Sequence, residues 1–339
     1  MPTVGIIANP ASGKDIRRLV AYGTVFDNLE KVNIVRRILL GLAAAGVNRA
    51  VYMPDYFGIV PKAVEGLYSE HRLSMEIVPA DIRLTGTQVD SYEAALEMGR
   101  WAAGCIITLG GDGTNRMVAK GCGDTPLLPV STGTNNVFPR MVEGTIAGLA
   151  AGAVACGKAG GPQVLNPSKK LVIYKNGEPV DIALIDAVVL KDKFIGSRAM
   201  WEVDSLRQAV VTRGEAHNIG IASIAGNLAP VGVTEKKGMV LEFDPEKKDV
   251  LAPIAPGLIV PVGIKRFRLL EVGERVEVDC RPCIIALDGE REVELKESDE
   301  AYIELTFDGP RVVDVKAALK TAVENNYSRC RARAILGSE

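Results

Sequence analysis

The feature that most limits the fold is a change of period part-way along the chain. From residue 1 to about 138, short apolar runs alternate with stretches whose apolar residues return every three to four positions. VGIIA at 4–8 leads into a turn, and NIVRRILLGLAAAG at 33–46, RAVYMP, SMEIVP, SYEAALEMGRWAAG and CIITLG succeed one another. Alternation of this kind predicts a parallel, Rossmann-like sheet covered by helices, an α/β domain over 1–138. After about 165 the runs turn short and often alternating, as in KKLVIYKNGEPVDIALIDAVVL, GMVLEFDP and PCIIALDGEREVEL, with Asn-Gly and Asp-Gly signals for hairpins between them. A β-rich domain over 166–313 is expected, reached through a helical connection over 139–165. VKAALKTAVENNYSRCRARAIL then returns to helical spacing, so a helix over 314–336 is expected to pack back and complete the first domain.

Composition removes several classes of function. With 339 residues, 47% hydrophobic, and a formal net charge of −2, the chain has the size of about two domains and lacks the basic excess of a nucleic-acid binder or an electrostatic membrane anchor. MPTVGIIANP reads as a first strand and its turn, with no secretory leader, so an intracellular, cytoplasmic location is expected. GTIAGLAAGAVACGKAGG at 144–161 is built of Ala and Gly and carries a lysine, which predicts a packed helix and a loose connection instead of a membrane span. Six scattered cysteines do not form a disulfide framework, and the one CxxC, Cys280 and Cys283, would point its sulfurs to opposite faces of a strand. Only His71 and His217 are present, so acid–base chemistry is expected to fall to carboxylates.

Three loops sit where an open parallel sheet binds its ligands, beyond the carboxyl ends of strands. The first, ANPASGKD, fails as a P-loop because Ala8 and Asp15 stand where a glycine and a hydroxyl residue are required. Asn9, Ser12 and Gly13 can still offer amides and a hydroxyl to a phosphate, although taken alone the loop reads first as a plain turn. In the second, GGDGT, glycines 110, 111 and 113 let the backbone approach an anion, and Thr114 opens the helix that follows. Asp112 beside a phosphate is costly unless it has a cation or a hydroxyl to work on, which points to Mg²⁺ binding or proton abstraction, with helix capping as the structural alternative. The third, LPVSTGTNNVFP, adds Ser131, Thr132, Gly133, Thr134, Asn135 and Asn136. Together the loops describe a polyphosphate or nucleotide site. Far along the chain ALDGEREV carries Asp288 and Glu290; a hairpin turn accounts for them unless the domains close over a cleft.

NPASG, GGDGT, GTNN and the late LDGE, in this order, resemble the superfamily of NAD kinases, diacylglycerol kinases and sphingosine kinases. The long segment before GGDGT and the loop LPVSTGTNNVFP look most like the acetoin-catabolism X branch, described as ATP-NAD kinase-like. The resemblance implies an NAD kinase-like two-domain fold. It also implies a phosphotransferase using ATP or polyphosphate with Mg²⁺ and an alcohol acceptor, NAD first, with a lipid or other small alcohol as alternative. It assigns Asp112 to activation of a hydroxyl, Asp288 as a second candidate base, and Glu290 as a weak metal ligand. Where NAD kinases carry an Asn-Glu pair on adenosine, this chain has Ile185 and Asp186, and Ser223 and Asn227 of ASIAGN stand in faintly for their Gly-Ser-Thr loop. Relatives of this kind commonly form dimers or tetramers through the β domain. A non-catalytic dinucleotide sensor is the reading from another class.

Overall fold

The computed structural model describes residues 1–13, 22–23, 26–69, 73, 75–191 and 203–327. The α/β half begins with β1 (Thr3–Ala8), α1 (Asn28–Ala44), β2 (Arg49–Tyr52), α2 (Ile59–Ser69) and β3 (Glu76–Pro79). It continues with α3 (Val89–Arg100), β4 (Cys105–Gly110), α4 (Asp112–Gly121), β5 (Leu127–Ser131) and α5 (Gly144–Ala155). The strands pair in parallel in the order β3-β2-β1-β4-β5. Every residue of β1, β4 and β5 is buried, as expected for a parallel sheet covered on both faces. On one face Val35, Ile38, Leu39 and Leu42 of α1 pack with Ala147, Ala150 and Ala151 of α5, and on the other Ala94, Ala95 and Met98 of α3 pack with Val118 of α4. The Asp27 carboxylate accepts from the Leu29 amide and so caps α1.

β6 (Leu165–Pro167) leads into the β-rich part, made of β7 (Lys170–Lys175), β8 (Glu178–Ala183), β9 (Asp186–Leu190), β10 (Leu206–Val211), α6 (Ile221–Leu228), β11 (Lys237–Phe243), β12 (Val250–Ala255), β13 (Leu258–Val262), β14 (Ile264–Glu271), β15 (Arg275–Glu277), β16 (Cys283–Leu287), β17 (Glu290–Leu295) and β18 (Ala301–Thr306). Two antiparallel sheets, β14-β11-β10-β9-β16-β17 and β15-β18-β7-β8, share a core in which Leu171, Ile173 and Ile303 of the smaller meet Val189, Val210 and Ile285 of the larger. The other face of the larger sheet is covered by α6 and the β12–β13 hairpin, through Ile224, Ala252 and Val262. β16, sandwiched between layers, is buried throughout.

The chain then returns to the first sheet. β19 (Arg311–Val313) pairs in parallel with β5 and antiparallel with β6, and Ala318 and Ala322 of α7 (Val315–Glu324) enter the core around α1 and α5. The expected terminal helix therefore begins on that domain; its stretch beyond 327, with Cys330 and the arginine-bearing tail, lies outside the described residues, as does His71. Among the described residues no helix is long and apolar enough to cross a membrane. The CxxC differs from expectation in one respect: the strand begins only at Cys283, so Cys280 precedes it and both side chains pack on the same core.

Candidate functional site

Because β1, β4 and β5 are adjacent and parallel, the loops that follow them emerge side by side. Hydrogen bonds then stitch them together: Asn9 Nδ2 donates to Thr114 Oγ1 at 2.9 Å, and the hydroxyls of Ser12 and Thr132 lie 3.0 Å apart. The first loop is fixed from beneath by Lys31, fully buried, whose ammonium donates to the carbonyls of Asn9 (2.8 Å) and Ser12 (2.6 Å) and to Asn28 Oδ1 (3.0 Å). In the third loop Asn136 Nδ2 donates to Ser131 Oγ at 2.8 Å, while Asn135 keeps a buried side-chain oxygen with no donor; Gly133 is half-buried and Thr134 exposed.

Asp112 opens α4, and its carboxylate reaches across to the third loop. Oδ1 accepts from the amides of Val137 (3.1 Å) and Phe138 (2.8 Å), and Oδ2 from Val137 (3.1 Å). The glycines around it serve close packing. A Cβ on Gly111 would lie 2.8 Å from Asn136 Oδ1, and one on Gly113 would lie 2.5 Å from Glu290 Oε1. The glycine run thus lets the β domain and the third loop approach the start of α4 closely. Thr114 is buried beside them.

Asp288 comes from the opposite domain and is held in the same manner. Asp288 and Gly289 both have positive φ (50° and 85°), the conformation of a two-residue hairpin turn between β16 and β17. The hairpin reading of this motif is therefore met by the backbone, while the side chain turns inward. Its Oδ1 accepts from the amides of Ile185 (2.7 Å), Asp186 (3.2 Å) and Leu184 (3.1 Å), and its Oδ2 from Leu184 (2.8 Å). Burial raises its pKa to about 7; the charge of Asp112 pushes the same way, while the Leu184 and Ile185 amides and Arg116 oppose it. Leu184, Ile185, Phe138 and Ala222 of α6 form one apolar cluster, which joins the residues that grip the two aspartates.

The remaining expected residues are placed as follows. Asp186 begins β9 and is bound to Asp288 twice: its carbonyl accepts from the Asp288 amide at 3.0 Å, and its amide donates to the Asp288 carboxylate at 3.2 Å. Ser223 and Asn227 donate locally: the Ser223 hydroxyl to the carbonyl of Gly220, which caps α6 (2.6 Å), and Asn227 Nδ2 to Ser223 O (2.9 Å). Glu290 is an ion-pair partner. Arg116, on α4 four residues past Asp112 and without any exposed surface, pairs with Asp181 (3.0 Å), Glu290 (3.2 Å) and Glu292 (2.7 Å) of the β domain. Burial works against its charge, but Asp181, Asp288 and the two glutamates outweigh it and raise the pKa further. Among the described residues no group of three or more His, Cys, Asp or Glu side chains could hold a metal. With Glu290 on Arg116 and both aspartates on backbone amides, the residues present do not fit a protein-held Mg²⁺.

Arg213, two residues past β10, is 5% exposed, and its guanidinium lies 5.4 Å from the centre of the Phe138 ring. Burial lowers its pKa to about 10 against the pull of Asp112, and Arg140 lowers it further.

Comparison with known proteins agrees with this construction. A model of the ATP-NAD kinase N-terminal domain matches residues 4–158, and one of the acetoin catabolism protein X C-terminal domain matches residues 169–308. Acetoin catabolism protein X of Cupriavidus necator is 39% identical over 97% of this chain and 94% of its own length. The chain belongs to the acetoin catabolism protein X family. The crystal structure of yeast NADH kinase complexed with NADH superposes with a TM-score of 0.53 at 13% identity, covering 96% of this chain and 87% of that one. That likeness gives the α/β-plus-β fold, which the family shares with a kinase.

Three site residues escape a reading of motifs: Lys31, Arg116 and Arg213. A signal existed for the first, since Lys31 falls in register with the buried Ile34, Val35 and Ile38 of α1. Arg116 and Arg213 meet their surroundings only through the fold.

Proposed function

We propose that this protein is an ATP-dependent phosphotransferase acting on an alcohol, with NAD as the first acceptor to test. The observation that carries the reading is the pair Asp112 and Asp288, one from each domain, converging beside three hydroxyl- and amide-bearing loops at the carboxyl edge of a parallel sheet. Phosphoryl transfer needs positioning and charge stabilisation more than covalent help from the protein. In the proposed reaction the acceptor hydroxyl oxygen forms a bond to the γ-phosphorus, the bond from that phosphorus to the β–γ bridging oxygen breaks, and ADP leaves. The hydroxyl proton passes to Asp112. Asp112, at the start of α4, suits this role better than Asp288, which is 7% exposed and enclosed by three amides. Magnesium accompanies the donor's phosphates in this reading, and no step is assigned to a protein-held ion.

The test is NADP formation from NAD, ATP and Mg²⁺, followed beside Asp112→Asn. Asparagine keeps an oxygen for the Val137 and Phe138 amides but cannot take the proton, so turnover should fall by roughly 10²–10⁴-fold with the fold intact. Undiminished turnover in the variant would remove Asp112 from the chemistry. A second reading, a dinucleotide sensor without catalysis, is favoured by one observation: both Asp112 oxygens already accept amide hydrogens, as a structural carboxylate's do. Nucleotide binding without ATP consumption across a panel of alcohols would decide for it.

A further inference from the structure

Buried cations in this molecule are normally given partners. Lys31 holds two carbonyls and an amide oxygen, Arg116 holds three carboxylates, and Lys169 donates to the carbonyls of Gly232 (2.8 Å) and Lys237 (2.6 Å). Arg213 differs: its Nε and Nη2 are buried and donate to nothing. Those two N–H groups share one edge of the guanidinium, the edge that grips two oxygens of a carboxylate or phosphate at once. Leaving it unfilled in the interior is costly, since a buried charge is stable only when paired and hydrogen-bonded.

Its position is equally specific. The ring it faces belongs to Phe138, whose amide binds Asp112. The preceding residue, Thr212, donates from its hydroxyl to Leu184 O (2.7 Å) and from its amide to Ile185 O (2.8 Å), and the amides of those same two residues bind Asp288. Arg213 is thus tied to the supports of both aspartates. A phosphate brought beside two carboxylates is repelled unless a cation takes part of its charge. Arg213, with Arg140 adding positive charge next to it, is the cation this location offers.

We propose that Arg213 is an oxyanion-binding residue of the site, its Nε–Nη2 edge receiving two oxygens of a phosphoryl group on the bound ligand. The inference rests on reading the site as a phosphate site and deepens it by naming the group that receives the charge. The edge is buried, so docking has to part the atoms that cover it. Donor polyphosphate and dinucleotide pyrophosphate share the required chemistry.

The test is calorimetry on the full chain at fixed ionic strength, with inorganic tripolyphosphate, ATP and NAD as probes, for wild type, Arg213→Gln and Arg213→Lys, each first shown to unfold cooperatively. Arg213→Gln should weaken binding about ten- to hundredfold. Arg213→Lys should recover only part of this, because an ammonium is a point charge without a fork. A loss confined to tripolyphosphate and ATP assigns the edge to the donor, and one confined to NAD assigns it to the dinucleotide. Equal affinity of wild type and Arg213→Gln for all three probes overturns the proposal, as does a wild type that binds none. The phosphotransferase reading fails separately: Arg213-dependent binding without NADP formation leaves this proposal standing, whereas undiminished NADP formation and binding in Arg213→Gln leaves only the kinase.

Discussion

Arg116 and Arg213 are both shut away from water, at 0% and 5% exposure, and both feel the charge of Asp288, yet the fold treats them differently. Arg116 is surrounded by three carboxylates from β8 and β17, and Gln88 Nε2, beside α3, donates to one of them, Glu292. Arg213 has a ring beneath it and an empty donor edge. The first arrangement neutralises its charge without a ligand, leaving only Nε unpartnered, and fastens the start of α4 to the β domain. The second is complete only with one. A buried charge met by carboxylates therefore marks the joint between α4 and the β domain, and a buried charge whose bidentate edge is unfilled marks where the phosphoryl group is proposed to dock.

The largest effect is expected at the satisfied arginine. Arg116→Met leaves Asp181, 11% exposed, with Lys120 as its remaining cation and Glu292, 19% exposed, with only the Gln88 amide, whereas Glu290 at 47% can turn to water. Breaking a buried ion pair from one side costs on the order of 3–5 kcal/mol, with Glu290 contributing least. Urea unfolding of the variant should show that loss, and a midpoint within error of wild type would mean that the network is not what joins the domains.

The next effect concerns how the site responds to pH. An unfolded aspartate titrates near 3.8, and in the folded chain burial lifts Asp288 to about 7. Between these values the folded protein holds a proton that the unfolded chain has released, so the contribution of Asp288 is full below 3.8, falls as pH rises, and is gone above about 7. Comparing wild type with Asp288→Asn at each pH cancels the carboxylates common to both. Wild type should lose ground to the variant steadily from pH 4 to 7 and hold a constant difference above. A flat difference throughout would show that the three amides, and not burial, govern this carboxyl.

How much of this could be read beforehand follows from the range of each interaction. The parallel sheet, the three loops at its edge and the Asn-Gly and Asp-Gly hairpins were legible, because period and turn chemistry are local. GGDGT was legible as the passage from a buried strand into a helix but not in its mechanics. That Gly113 makes room for Glu290, and that Asp112 grips residues 25 and 26 positions further on, depends on packing between distant segments. Glu290, offered by the resemblance as a weak metal ligand, has as its partner Arg116, which lies 174 positions away and sits in what reads as ordinary helix. That the Ser223 hydroxyl and the Asn227 amide donate to nearby carbonyls, at the start of α6 and within it, could not be read from ASIAGN alone.

Lys31 gives a smaller effect that tests the same contrast on the loop side. Lys31→Met removes the ammonium that ties the carbonyls of Asn9 and Ser12 to α1. Hydrogen bonds to a charged group are worth about 1.5–3 kcal/mol net, so unfolding should shift by roughly that amount. Nucleotide affinity should fall with it, since the first loop loses its floor. A shift in stability with affinity unchanged would separate the NPASG loop from the ligand.

Arg213→Met should change stability least, and that smallness is the point. The methionine removes a guanidinium whose donor edge has no acceptor in the folded chain and leaves an apolar side chain against Phe138. Loss of attraction to Asp112 works against the variant, and relief of the buried charge works for it. The two offset, and the unfolding free energy of the ligand-free protein should lie within about 1 kcal/mol of wild type, as replacing buried charge by a well-packed apolar group often does. Added ATP or NAD should then stabilise wild type more than the variant, because only the wild type gains the oxyanion contact on binding. A ligand-free loss as large as that of Arg116→Met would make Arg213 a structural counter-ion of the aspartates, and the two arginines would differ in geometry alone.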